Sequence, residues 1–218
     1  MAEKSDWTSV EELRTTFIGM LAYDVLVALE RREVDDNQTS RRDFIRTLFA
    51  AVEGSVWLFR EHVRSIADDL DELSPMLAMA INENSYSVGE NGKLIEQQRH
   101  IPMLSMIRLV TNLAKKLSSD LDADFSGDGW IDLKRTIAIR NRITHPKSIT
   151  DLNITSDDTK TAWSGLIWLL EHVALTLNAT IAAQVEYLDQ FKSLLDKLKA
   201  GDPIALKAYH STFSKLHD

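Results

Sequence analysis

One stripe of apolar residues constrains this chain more than any other feature. Trp163, Leu166, Leu170, Val173, Leu177, Ile181, Leu188, Phe191, Leu195 and Leu198 recur at the period of one helix face. The stripe predicts a helix that begins near Ser156–Asp158 and runs to Lys199, where Gly201 and Pro203 stop it. At 1.5 Å per residue such a helix is ~60 Å long, about twice the diameter of a small domain. It therefore either breaks near Asn178–Thr180 or carries its end out of the bundle onto a partner.

Other segments share this period. Val10, Leu13, Phe17, Leu21, Val25 and Leu29 predict a helix from about Ser9 to Arg32, capped by Thr8 or Ser9 with Glu11 or Glu12 three residues later. Phe44, Leu48, Val52, Phe59, Val63, Ile66 and Leu70 predict a second, opened by Thr39 or Ser40 and reaching as far as Leu73. Pro75 opens a further turn through Ile81, and Pro102 opens a helix over Met103 to Leu117. Trp130 to about His145 reads as another, and residues 203–216 as a short last one. GENG is a turn signal, and Ser87–Gly89 with Lys93–Ile95 fit a small hairpin. The expected fold class is all-α: an antiparallel bundle of four to five long helices with a short hairpin insertion around 84–101. Residues 1–218 read as a single domain, with 185–218 a C-terminal helical extension.

Composition removes several kinds of chemistry. The chain has no cysteine, which excludes disulfides, thiolate metal sites and a Cys nucleophile. That usage suits a reducing, cytoplasmic setting. The start, MAEKSDWTS, holds no apolar signal core. The most apolar stretch, Trp163 to Leu188, is interrupted by Glu171, His172, Asn178, Gln184 and Glu186, which argues against a membrane span. Asp120, Asp122 and Asp124 have calcium-loop spacing, but Phe125 stands where the sharp-turn glycine is required and Ile131 where the bidentate Glu should be. The loop reads as solvated and helix-capping. His62, His100, His172, His210 and His217 lack metal-ligand spacing, so no metal is expected. No glycine-rich phosphate loop or nucleophile elbow is present.

The net charge of −8 argues against a broad nucleic-acid-coating surface, though not against a local phosphate site. From Leu133 to Thr150 the chain carries Lys134, Arg135, Arg140, Arg142 and Lys147 and no carboxylate. Within this island, Asn141 and His145 are four residues apart and share a helix face. Pro146 disfavours α conformation at His145, which puts the histidine at a helix C-terminus. A phosphate-clamping Arg beside a His able to move protons is what phosphodiester chemistry needs. A plainer reading stands beside it: cations near the last carbonyls stabilise a helix end. Glu53, near the apolar stripe of its helix, reads either as a buried partner that orients Arg140 or as a boundary residue reaching solvent.

Arg140, Asn141 and His145, closing a helix in an all-α bundle, resemble the HEPN superfamily, whose motif is Arg, a polar residue and His four to six residues after the Arg. The resemblance implies a metal-independent endoribonuclease without cofactor, acting on single-stranded RNA and leaving 2′,3′-cyclic phosphate and 5′-hydroxyl ends. Many members are toxins or antiviral defence factors, so an antitoxin or neighbouring-gene protein is an implied partner. It also implies a homodimer with two motifs facing across a shared cleft, His145 as general acid or base, Arg140 as clamp and Asn141 orienting the phosphate. Arg142 and Lys147 would be secondary substrate contacts. The alternative expectation is a non-catalytic, protein-binding helical module of similar fold.

Overall fold

The computed structural model describes residues 14–215, with side chains through residue 211. Seven α-helices among these residues carry the architecture: α1 Phe17–Val34, α2 Gln38–Asp69, α3 Pro75–Ile81, α4 Met103–Leu117, α5 Asp128–Thr144, α6 Ser156–Lys199 and α7 Pro203–Lys215. One antiparallel hairpin, β1 Asn84–Val88 with β2 Leu94–Gln98, interrupts them. The fold is all-α, and the hairpin falls where the GENG turn placed it. Its register pairs Val88 with Leu94 and Asn84 with Gln98. Gly92, at φ 75°, supplies the left-handed turn residue.

Local hydrogen bonding decides the helix starts. The expected cap at Thr8 or Ser9 lies outside the described residues; α1 begins later, at Phe17, because Thr16 Oγ1 accepts the Gly19 N–H at 3.0 Å. Asn37 starts α2 ahead of the expected Thr39 or Ser40, since its Oδ1 accepts from both their N–H groups at 2.8 and 3.0 Å. Ser40 returns a bond to the Asn37 N–H, closing a capping box. At the other end Asp71, at φ 56°, stops α2 short of Leu73. Gly127 caps α5, so that helix opens at Asp128, two residues before Trp130.

α2 is the central strut, packed against α1, α4, α5 and α6. Phe44, Ile45, Leu48, Val52, Phe59 and Val63 line its buried face, each contributing ~1.5–3 kcal/mol by leaving water. Phe125, the residue that spoils a calcium loop, turns inward: its ring lies 4.9 Å from Trp130 and 5.4 Å from His172. α6 does not break near Asn178–Thr180. Thr176 and Thr180 give their hydroxyl protons to the His172 and Thr176 carbonyls, so these buried polar groups are satisfied within the helix. The last buried residue of α6 is Thr180, and the remainder runs out of the bundle. By length and composition alone α6 could cross a membrane, with an 18-residue window of mean hydropathy 1.5. Its buried face packs on α2, α4 and α5 as a core helix does.

His172 is the buried titratable group of the core. Its ring stacks on Trp168 at 5.0 Å and meets the Phe59 ring edge-on at 5.8 Å. Thr111 Oγ1 lies 2.8 Å from both the Ile107 carbonyl and His172 Nε2, so it can give its proton to the carbonyl and accept one from Nε2. Burial, reinforced by Lys115, pushes the His172 pKa down to about 4. The unfolded chain then binds a proton at higher pH than the folded one does, so stability rises with pH. The contribution is complete above pH ~6.5 and is lost progressively as pH falls towards 4, on the order of 2 kcal/mol in all. Unfolding free energies from urea titrations at pH 7 and 4.5 are expected to differ by roughly this amount in the native chain. In His172→Gln the gap should narrow sharply; an unchanged gap would assign the acid sensitivity elsewhere.

Candidate functional site

The motif forms at the end of α5. The His145 N–H closes the last turn on the Asn141 carbonyl at 3.0 Å, and its backbone leaves the helix at φ −124°, ψ 59°. Pro146 follows and no further turn forms. Lys147 and Ser148 then donate their N–H groups to Asp151 Oδ2 at 2.8 and 2.9 Å. These bonds, that of Lys147 foremost, hold the Asp151 carboxyl below its usual range.

The loop after the motif is stapled to the start of α2. Gln38 exchanges two bonds with the Ile154 backbone, Oε1 accepting at 2.8 Å and Nε2 donating at 3.0 Å. Arg41 donates to the Ile154 carbonyl and Arg42 to the Leu152 carbonyl, each at 3.0 Å. Arg46 pairs with Asp43 at 3.2 Å. Arg41 and Arg42 therefore fasten this loop.

Arg140 lies half-buried across α2. Its Nη2 donates to Glu53 Oε1 at 3.0 Å and its Nη1 to Asn141 Oδ1 at 3.2 Å, while the guanidinium carbon sits 4.7 Å above the Phe49 ring. Glu53 is the partner of Arg140, and it is a surface partner, with its side chain 49% exposed. Together with Arg46, Phe49, Ile143 and Thr144 the pair lines an open surface pocket of about 360 Å³. Asn141 and His145 are exposed. The His145 ring makes no hydrogen bond or ion pair to any other described residue.

Arg142 turns the other way. Its Nη2 reaches Asp158 Oδ2 at 3.0 Å and the Asn153 carbonyl at 3.3 Å, tying α5 to the first turn of α6. Asp158 also closes the capping box of α6 with Thr155. The structure thus brings Glu53 and Asn141 to Arg140 at one edge of the bundle, leaves His145 exposed at the end of the same helix, and sends Arg142 to a structural contact. Lys147 is exposed on the adjoining loop.

The arginines of the carboxylate-free island are paired in space. Asp132 meets Arg135 at 3.5 Å, Glu53 meets Arg140, and Asp158 meets Arg142. Two of these carboxylates come from other helices, which no local reading of 133–150 could supply. The one accessible signal was Asp158, three residues after a Thr that can cap a helix. No family model, curated protein or solved structure matches this chain.

Proposed function

We propose that the chain is a HEPN-like, metal-independent endoribonuclease that cleaves single-stranded RNA at Arg140, Asn141 and His145. The observation that carries this reading is the exposed His145 ring, unengaged by the described residues, at the end of the same helix whose last turns hold the partly exposed Arg140 guanidinium in a surface pocket. A histidine serving only to cap its helix has no need of that neighbour.

In this reaction the ribose 2′-hydroxyl attacks the adjacent phosphorus and the bond to the 5′-oxygen breaks. The products are a 2′,3′-cyclic phosphate and a 5′-hydroxyl. His145 takes the proton from the attacking hydroxyl or gives one to the leaving oxygen. Arg140 offers two N–H groups to the phosphate oxygens and stabilises the charge that builds on them. Asn141, already bonded to Arg140, keeps the fork in plane. Glu53 holds Arg140 at the pocket until phosphate competes for it.

The test is purified protein on single-stranded RNA in EDTA, with end-group analysis of the products. Cyclic phosphate ends that disappear in Arg140→Ala are expected; cleavage that needs Mg²⁺ or survives the substitution overturns the reading. Glu53→Gln removes the competing carboxylate from a partly exposed pair. It is expected to tighten RNA binding two- to fivefold at low salt, measured by filter retention.

The alternative, a non-catalytic helical module for protein association, draws on a different part of the molecule: the apolar face of α6 beyond the bundle.

A further inference from the structure

The 44 residues of α6 outlast the bundle that holds them. Gln184 donates to Asp69, the last residue of α2, at 3.0 Å, and from there to Lys199 no residue of α6 is buried. The projecting part, residues 185–199, reaches ~20 Å beyond the end of α2, and among the described residues α7 touches it at its tip. It is not dressed for water: Val185 is 53% exposed, Leu188 56%, Phe191 50% and Leu195 38%. With Leu194 and Tyr187 beside them, this ridge offers on the order of 500 Å² of apolar surface. That is in the upper range of the largest apolar patch on a soluble monomer, a kind of patch that is often functional, and two such ridges reach the size of a small specific interface.

We infer that this segment pairs antiparallel with the same segment of a second copy of the chain. Leu188, Phe191, Leu195 and Leu198 step by three, four and three residues, the spacing of a two-helix seam. The charges along one flank choose the direction. Asp189, Lys192, Asp196 and Lys199 also step by three, four and three, and their signs alternate. Reversed end to end, the row becomes its own complement. A twofold mate centred near Leu194 sets Asp189 beside the Lys199 of the other copy, and Lys192 beside its Asp196. The same pairing brings Leu188 towards Leu198 and Phe191 towards Leu195. A parallel mate sets this flank against the opposite one, where Tyr187 and Leu194 offer no charge.

The inference is independent of the RNA-cleavage reading. The Arg142–Asp158 contact ties the end of α5 to the first turn of α6, and Leu194 lies ~54 Å further along that helix. Pairing at the tip therefore leaves the two Arg140–His145 faces at far ends of the assembly, each built from one chain. A shared-cleft dimer needs a different surface.

Sedimentation velocity on the full chain from ~1 to ~100 µM tests the pairing, with a species of twice 24.7 kDa expected. Phe191→Asp with Leu195→Asp should give a monomer of unchanged helical circular dichroism, since both side chains are solvent-facing. Asp189→Lys and Lys199→Asp should each weaken dimerisation three- to tenfold, and the two together should restore it. In this cysteine-free chain, Leu188→Cys mixed with Leu198→Cys should cross-link under oxidation, while Leu188→Cys alone should not. A wild-type monomer throughout, a dimer indifferent to the double Asp variant, or cross-linking of Leu188→Cys with itself overturns the inference. Flotation of a monomeric chain with phosphatidylcholine–phosphatidylglycerol vesicles also overturns it, and gives the ridge to a membrane surface.

Discussion

His145→Ala is expected to lower RNA cleavage by 10²–10⁴-fold, the range carried by a positioned proton-transfer group. Its fold should be untouched, because the ring is exposed and the turn is closed by the backbone N–H of residue 145, which alanine retains. Free imidazole added to the variant should restore part of the rate. A histidine that merely caps α5 predicts something else: a few tenths of a kcal/mol lost through the helix dipole and no imidazole response. Initial rates on a short fluorescent RNA, with and without imidazole, separate the two. If the variant cleaves at the native rate, the proton donor is not His145.

Gly165→Ala is expected to cost about 2 kcal/mol of stability, and Gly165→Val more. Here α6 crosses α5 so closely that a Cβ would stand 2.8 Å from Thr136 Oγ1 and 2.9 Å from the Leu133 backbone N and Cα. Alanine gains up to ~1 kcal/mol of helix propensity over glycine. The clash outweighs that gain because a backbone, unlike a side-chain tip, cannot swing aside. Gly54 supplies the contrast. A Cβ there meets only the flexible ends of Leu21 and Phe17, so Gly54→Ala should cost much less. Thermal melts should place Gly165→Ala ~4–8 °C below the native chain. Equal melting temperatures for the two variants would mean that the crossing can open without cost.

The bundle was legible because apolar periodicity is local. Pro75, Pro102 and the GENG turn each mark an edge that the structure keeps. Helix starts were less legible, since several residues compete to cap and geometry chooses among them: Asn37 prevails over Thr39, although both have the right chemistry. At the candidate site, the sequence shows the positions of Arg140, Asn141 and His145 but not the company they keep. Glu53 is 87 residues from Arg140 and Asp158 is 16 from Arg142, so charge balance there is a property of the packed chain. The fastening role of Arg41 and Arg42 is not legible in sequence, because their acceptors, the Ile154 and Leu152 carbonyls, have no side-chain signature.

The staple between Gln38 and Ile154 spans 116 residues, and that separation sets a timetable. Synthesis delivers the start of α2 long before its loop partner, so Gln38, Arg41 and Arg42 wait while more than half of the chain emerges. Arg142 likewise has no Asp158 until the first turn of α6 has been made. The motif is thus translated in full, with Glu53 and Phe49 already made for Arg140, before the contacts of α6 and its loop that brace the end of α5 exist. A nascent chain halted between Pro146 and Ser156 would carry every site residue and lack that brace. Ribosomes stalled at those codons are the natural place to time its appearance.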